Sequence, residues 1–127
     1  MKKILIVEDE GLQASALRQA LEKAYDVRIA QNGEIALSDA KAFSPDFILL
    51  DMILPGQSGM QVLHHLKEDS QTQHIPVVVL TNLDLEQKEP ALAAGAADYL
   101  RKTDMTMEGV REMIYKHLPP DNDRSEA

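Results

Sequence analysis

Five polar residues stand where apolar runs stop. Glu8 and Asp9 follow Ile4-Leu5-Ile6-Val7, Asp51 follows Phe47-Ile48-Leu49-Leu50, Thr81 follows the run ending Val77-Val78-Val79-Leu80, and Lys102 follows Ala97 to Arg101. If the runs are strands of one sheet, all five meet at one of its edges. Three carboxylates packed together repel one another strongly unless a cation sits among them. With no Cys in the chain and oxygen ligands on offer, the expected ion is Mg²⁺, held by few carboxylates and several waters. Lys102 supplies a point positive charge and Thr81 a rotatable hydroxyl, which together would cradle an anion such as a phosphoryl group. A carboxylate beside Mg²⁺, a lysine and a hydroxyl suits formation of an acyl phosphate on that carboxylate.

The intervening sequence says which elements must hold these residues. Ile4 to Val7 is short, apolar and β-branched, the mark of a strand covered on both faces. Leu12, Ala16, Leu17, Ala20 and Leu21 recur at helical spacing, which predicts an amphipathic helix over roughly 11–24. Tyr25 to Ala30 reads as a strand, Gln31-Asn32-Gly33 as a turn, and Glu34 to Phe43, with Ile35, Ala36, Leu37 and Ala40, as a second helix that Ser44-Pro45 stops. Phe47 to Leu50 is the third strand, and Pro55-Gly56 forces a loop. Ser58 with Gln61 three residues on is a capping-box pattern for a helix running to about Glu68. Ile75 to Leu80, ending on Thr81, is the fourth strand. A fourth helix covers part of 84–95 and should start late, with Pro90 in its first turn, because an interior proline costs about 3 kcal/mol. Ala97 to Arg101 is the fifth strand and Thr106 to Leu118 the last helix.

Five short apolar strands alternating with five amphipathic helices imply an α/β doubly wound fold, a parallel sheet with helices on both faces. Connections should be right-handed, and ligands should bind at the carboxyl ends of the strands. The 127 residues suit one domain with one sizeable core, expected over 1–120, with 121–127 a solvated tail. A net charge of −8 repels the phosphate backbone, so direct nucleic-acid binding is not expected. No run approaches the ~20 apolar residues of a membrane span, and acidic Glu8-Asp9-Glu10 ends the first apolar run too early for a secretory signal. The expected location is cytoplasmic.

The sequence resembles the receiver domains of two-component response regulators, the chemotaxis-regulator type among them. The resemblance spans about residues 2–118. It is carried by Ile4 through Asp9, by Phe47-Ile48-Leu49-Leu50-Asp51-Met52 with Pro55 and Gly59, by Val77 through Thr81, and by Gly95-Ala96 through Asp98-Tyr99-Leu100-Arg101-Lys102. It implies a flavodoxin-like sheet with strand order 2-1-3-4-5 and a phosphorylation-dependent switch rather than an enzyme acting on a separate substrate. Asp51 would accept a phosphoryl group from a sensor histidine kinase or phosphotransfer protein. Asp9 would bind Mg²⁺ directly, Glu8 through water, and the backbone carbonyl of Ile53 would complete the protein ligands beside Asp51. Lys102 would pair with Asp51 and then with the phosphoryl oxygens. Thr81 would move toward the phosphoryl group, with Tyr99, at the aromatic switch position, rotating inward behind it. A downstream protein partner would read the face made by the fourth helix, fifth strand and fifth helix, with the chain a monomer or a phosphorylation-promoted dimer.

The sequence departs from that pattern at Thr103 and Asn82, and is apolar at two further positions beside the site. Thr103 stands where the family usually has a proline after the lysine, often after a cis peptide bond, which costs about 2.5–4 kcal/mol without proline. Asn82 replaces the usual small residue after Thr81, where it could crowd the phosphoryl pocket or donate to it. Ile53 and Leu83, two residues beyond Asp51 and Thr81, are apolar and cannot orient an attacking water, which points to a long-lived phosphorylated form. The competing class is a pseudo-receiver, an interaction module independent of phosphorylation. A nucleotide- or flavin-binding protein would need a glycine-rich loop where Glu8-Asp9-Glu10-Gly11 stands, and a Mg²⁺ phosphohydrolase would place its aspartate after the first strand. His64 and His65 are helix neighbours that point apart, which argues against a shared ligand role; no function is assigned to them, His74 or His117, and Met105, Met107 and Met113 are read as packing residues. Nine residues follow Leu118, so the chain is either a stand-alone receiver or the first part of a longer regulator.

Overall fold

The computed structural model describes residues 1–121, and of the tail expected over 121–127 all but Asp121 lies outside the described residues. Elements alternate along the chain as β1 (Lys3–Val7), α1 (Gly11–Leu21), β2 (Asp26–Ala30), α2 (Gly33–Ala42), β3 (Phe47–Leu50), α3 (Gly59–Glu68), β4 (Val77–Thr81), α4 (Lys88–Ala93), β5 (Asp98–Arg101) and α5 (Met107–His117). The strands form one parallel sheet in the order β2-β1-β3-β4-β5, as the alternation and the resemblance require.

Because side chains alternate across a strand, the apolar runs feed two separate cores. Leu5, Val7, Ile48, Leu50, Val77, Val79 and Tyr99 pack with Ala36 and Ala40 of α2, Val62, Leu63 and Leu66 of α3, and Ala91 of α4. Ile4, Ile6, Phe47, Leu49, Val78 and Leu80 pack on the other face with Leu17 and Leu21 of α1 and Val110 and Ile114 of α5. Each fully buried leucine, isoleucine or valine contributes roughly 1.5–3 kcal/mol, and β1, β3 and β4 are buried on both faces along almost their whole length. That burial anchors the strand ends carrying the polar residues.

Element ends follow local chemistry. The Ser58 hydroxyl accepts from the Gln61 N–H at 3.2 Å while the Gln61 side chain accepts from the Ser58 N–H at 2.9 Å, the full capping box. Pro90 occupies the first turn of α4, behind one 3-10 turn at Leu85–Gln87 that Asp84 caps. Helix α1 stops at Leu21 rather than near 24, and the Tyr25 N–H still bonds the Leu21 carbonyl at 3.0 Å, so β2 begins one residue later than expected. Strand β4 begins at Val77, just past Pro76, which has no N–H to give a ladder.

Three apolar residues lie outside the cores that periodicity assigned them. Helix α1 buries Ala14, Leu17 and Leu21, so Leu12, Ala16 and Ala20 form the next row round the helix, and Leu12 is left 83% exposed. Ile35 and Met107 are likewise exposed, each in the first turn of its helix. Met105 and Met113 do pack against the α1–α5 core, and His64, His65, His74 and His117 are all exposed. Among the described residues, no helix is long and apolar enough to cross a membrane.

Candidate functional site

Strand register brings the polar residues together. Val7 lies opposite Leu50 in the β1–β3 ladder, so the next residues, Glu8 and Asp51, leave the sheet side by side. Thr81 lies opposite Arg101 in the β4–β5 ladder, which places Lys102 one step beyond Thr81. Two backbone bonds extend this order past the strands, Asp51 N–H to the Val7 carbonyl and Glu8 N–H to the Ala30 carbonyl, both at 3.0 Å. Behind Asp51 the α3 N-terminus approaches so closely that a Cβ on Gly59 would lie 2.3 Å from the Asp51 carbonyl oxygen. Gly59 is therefore required for space, and its N–H bonds the Met52 carbonyl at 2.9 Å, pinning the loop that leaves the site.

Carboxylate oxygens of Glu8, Asp9 and Asp51 lie within 4.8 Å of one another. Glu8 and Asp51 are buried while Asp9 is exposed. The Lys102 ammonium bridges the buried pair, at 2.6 Å from Glu8 Oε1 and 2.9 Å from Asp51 Oδ2. The other Asp51 oxygen accepts from the Ile53 N–H at 3.1 Å. Burial pushes the Glu8 carboxyl up, with Asp51 adding to the rise and Lys102 and the Glu10 N–H opposing it. Burial would lower the Lys102 ammonium, but its hydrogen bonds and charge pairing with Glu8 and Asp51 outweigh that and hold it above its ordinary value.

Three carboxylates against one ammonium leave an excess of two negative charges, which a divalent cation would balance. The donor set is all oxygen and includes an exposed Asp9, an arrangement suited to a small hard ion that keeps several waters. The residues present fit Mg²⁺.

Thr81 is fully buried at the end of β4. Its hydroxyl oxygen accepts from the Leu83 N–H at 3.3 Å, and among the described residues its own proton has no protein acceptor. Tyr99 is buried, and its hydroxyl donates to the Asp84 carbonyl at 2.8 Å. It thus already points inward, where the resemblance implied that it would turn inward after phosphorylation. Burial, then the charges of Asp84 and Asp51, raise its pKa.

Asn82 is exposed and Ile53 is 50% exposed, while Leu83 packs toward the core on the α2–α3–α4 side. Among the described residues there is no cis peptide bond, so Lys102–Thr103 is trans and opens a short 3-10 turn, Lys102–Asp104. One residue escaped the sequence reading altogether: the side-chain oxygen of Gln13, in the first turns of α1, accepts a further hydrogen bond from Lys102. No motif spacing marks a lone glutamine there.

Doubly wound topology with this acidic edge narrows the class of protein, and the match to known proteins specifies it. Residues 4–115 match the family model of the response regulator receiver domain, and the chain belongs to that family. It is 38% identical over 104 residues to protein PilH of Pseudomonas aeruginosa, covering 80% of this chain and 86% of that one. It is 40% identical over 102 residues to response regulator PleD of Caulobacter vibrioides, covering 79% of this chain but only 22% of PleD. The chain thus spans about a fifth of that longer relative. The chemotaxis response regulator CheY4 of Vibrio cholerae superposes with a TM-score of 0.85 at 28% identity, covering 93% of this chain and 99% of that one.

Proposed function

We propose that this chain is a phosphorylation-dependent signalling switch in which Asp51 takes a phosphoryl group from a sensor histidine kinase or phosphotransfer protein. The observation that carries this is the Lys102 bridge between buried Glu8 and Asp51 beside exposed Asp9, a charge arrangement with no structural need for a third carboxylate.

Asp51 attacks phosphorus, the bond from phosphorus to the donor histidine nitrogen breaks, and the product is an acyl phosphate on Asp51. Asp9, Asp51 and Glu8, with the Ile53 carbonyl, would hold Mg²⁺. When bound, the ion would supply charge neutralisation for the transferring oxygens. Lys102 already touches Asp51 and takes up phosphoryl oxygens as they arrive. Thr81 has a proton to donate to one of them. Its movement, transmitted to Tyr99 and through the Tyr99–Asp84 bond to the turn before α4, alters the α4–β5–α5 face that a downstream protein reads. Pro90 and the six-residue α4 give that face its own shape.

A protein donor is supported by the rim of the site. Exposed Leu12, Ile35, Ile53, Leu85 and Met107 all sit on helix starts or loops at the carboxyl edge of the sheet, surrounding charge with apolar surface as interaction sites do. Two-component signalling places such a chain in the cytoplasm, as a monomer or a dimer promoted by phosphorylation.

Incubation with Mg²⁺ and acetyl phosphate, followed by intact mass measurement, tests the reading. One added phosphoryl mass, lost in excess chelator and in Asp51→Ala, is expected. No adduct together with no Mg²⁺ binding would instead favour a phosphorylation-independent interaction module.

A further inference from the structure

We propose that Gln13 is a positioning residue for phosphoryl transfer, its side-chain carbonyl fixing the Lys102 ammonium between Glu8 and Asp51. This rests on the function proposed above and adds a residue to it. An ammonium has three N–H donors and no acceptor. In this structure all three are taken, by Glu8 Oε1 at 2.6 Å, Asp51 Oδ2 at 2.9 Å and Gln13 Oε1. Because lysine only donates, the amide must turn its oxygen, not its nitrogen, toward Nζ, which fixes the orientation of Gln13 as well.

The need for a third partner follows from the surroundings of Lys102. After Lys102 the backbone runs through a trans peptide into a 3-10 turn. On the groove side its neighbours are mostly apolar, with Leu17, Leu80, Met105 and Val110 lining the same cleft as Lys102 and Gln13. Two carboxylates on one side would leave the ammonium free to pivot about them. Gln13 comes from α1, an element separate from the strand ends that carry the two carboxylates, and removes that freedom. Its neutrality matters too. A carboxylate at this position would be a fourth negative charge and would compete with incoming phosphoryl oxygens for Lys102, whereas an amide holds the lysine and adds no charge.

Two measurements test the proposal. The first uses the unphosphorylated protein and follows the Nζ resonance of Lys102 by ¹⁵N NMR, assigned as the signal missing from Lys102→Met. Gln13→Met, of similar length without the acceptor, should shift or broaden that resonance, and Gln13→Glu should keep it protected. The second measures phosphorylation by acetyl phosphate at saturating Mg²⁺. Gln13→Met should lower the maximal rate about tenfold, with Mg²⁺ affinity and melting temperature unchanged, and should add nothing in a Lys102→Met background. An unchanged Lys102 resonance in Gln13→Met, or an equal loss of rate in the Lys102→Met background, would overturn it. Failure of the wild-type protein to accept phosphoryl would count against the proposed function, while the Lys102 resonance would still decide whether Gln13 orients the lysine.

Discussion

Without its ammonium, Lys102 would leave Glu8 and Asp51 buried side by side with no counter-charge. Two opposed effects then follow from one substitution. Lys102→Met should tighten Mg²⁺ binding, because a positive charge competing for the same carboxylates is gone. It should also slow phosphorylation by roughly 10²-fold, because the phosphoryl oxygens lose a preorganised cation. Mg²⁺ titration and single-turnover phosphorylation separate the two, and weaker Mg²⁺ binding with an unchanged rate would contradict this assignment. The same scale governs the lifetime of the product. Ile53 is half-exposed and Leu83 is turned toward the core, so neither can orient a hydrolytic water. The phosphorylated chain should decay over minutes or longer, measured by loss of the added mass after removal of the donor. Decay within seconds would show that another group orients the water.

At the scale of elements, the α3 N-terminus has two adjacent residues with different tasks. Ser58 caps the helix, so Ser58→Ala should cost about 1 kcal/mol in denaturant unfolding and leave phosphoryl acceptance intact. Gly59→Ala places a methyl 2.3 Å from the Asp51 carbonyl and 2.5 Å from the Met52 Cα. It should lower stability by more than the Ser58 substitution and also slow phosphorylation, since the strand end bearing Asp51 must shift. The capping box was legible in the sequence because Ser58 and Gln61 are local. The steric demand on Gly59 was not, because it arises from a strand end packed against a helix start. The helix faces divide in the same way. Periodicity marked the α1 stripe correctly at Leu17 and Leu21 but could not show that Leu12 lies beyond the sheet's cover.

Across the whole molecule, the order of the strands and the meeting of Glu8, Asp9, Asp51, Thr81 and Lys102 were legible because parallel topology turns five strand ends into one edge. Gln13 was not, since its bond to Lys102 joins residues far apart in sequence. A second long-range link closes the opposite end of the fold, where the Tyr25 hydroxyl donates to the Leu118 carbonyl. Burial first, then neighbouring Tyr115, push the Tyr25 hydroxyl from 10.0 up to about 12. Below pH 10.0 both the folded and unfolded chains hold this proton, and its contribution to stability is complete. As pH rises from there toward about 12, the unfolded chain ionises first and stability falls. Tyr25→Phe should flatten that part of the unfolding free energy against pH, and an identical alkaline slope in the variant would contradict the assignment.

The proposed switch turns on Asp51 itself being the acceptor. After phosphorylation by acetyl phosphate with Mg²⁺, borohydride reduction converts an aspartyl phosphate to homoserine, and peptide mass mapping locates the change. Homoserine is expected at position 51, dependent on Mg²⁺ and absent without the phosphodonor. Reduction at Glu8 or Asp9 instead, or a phosphoryl adduct stable to borohydride, would contradict it.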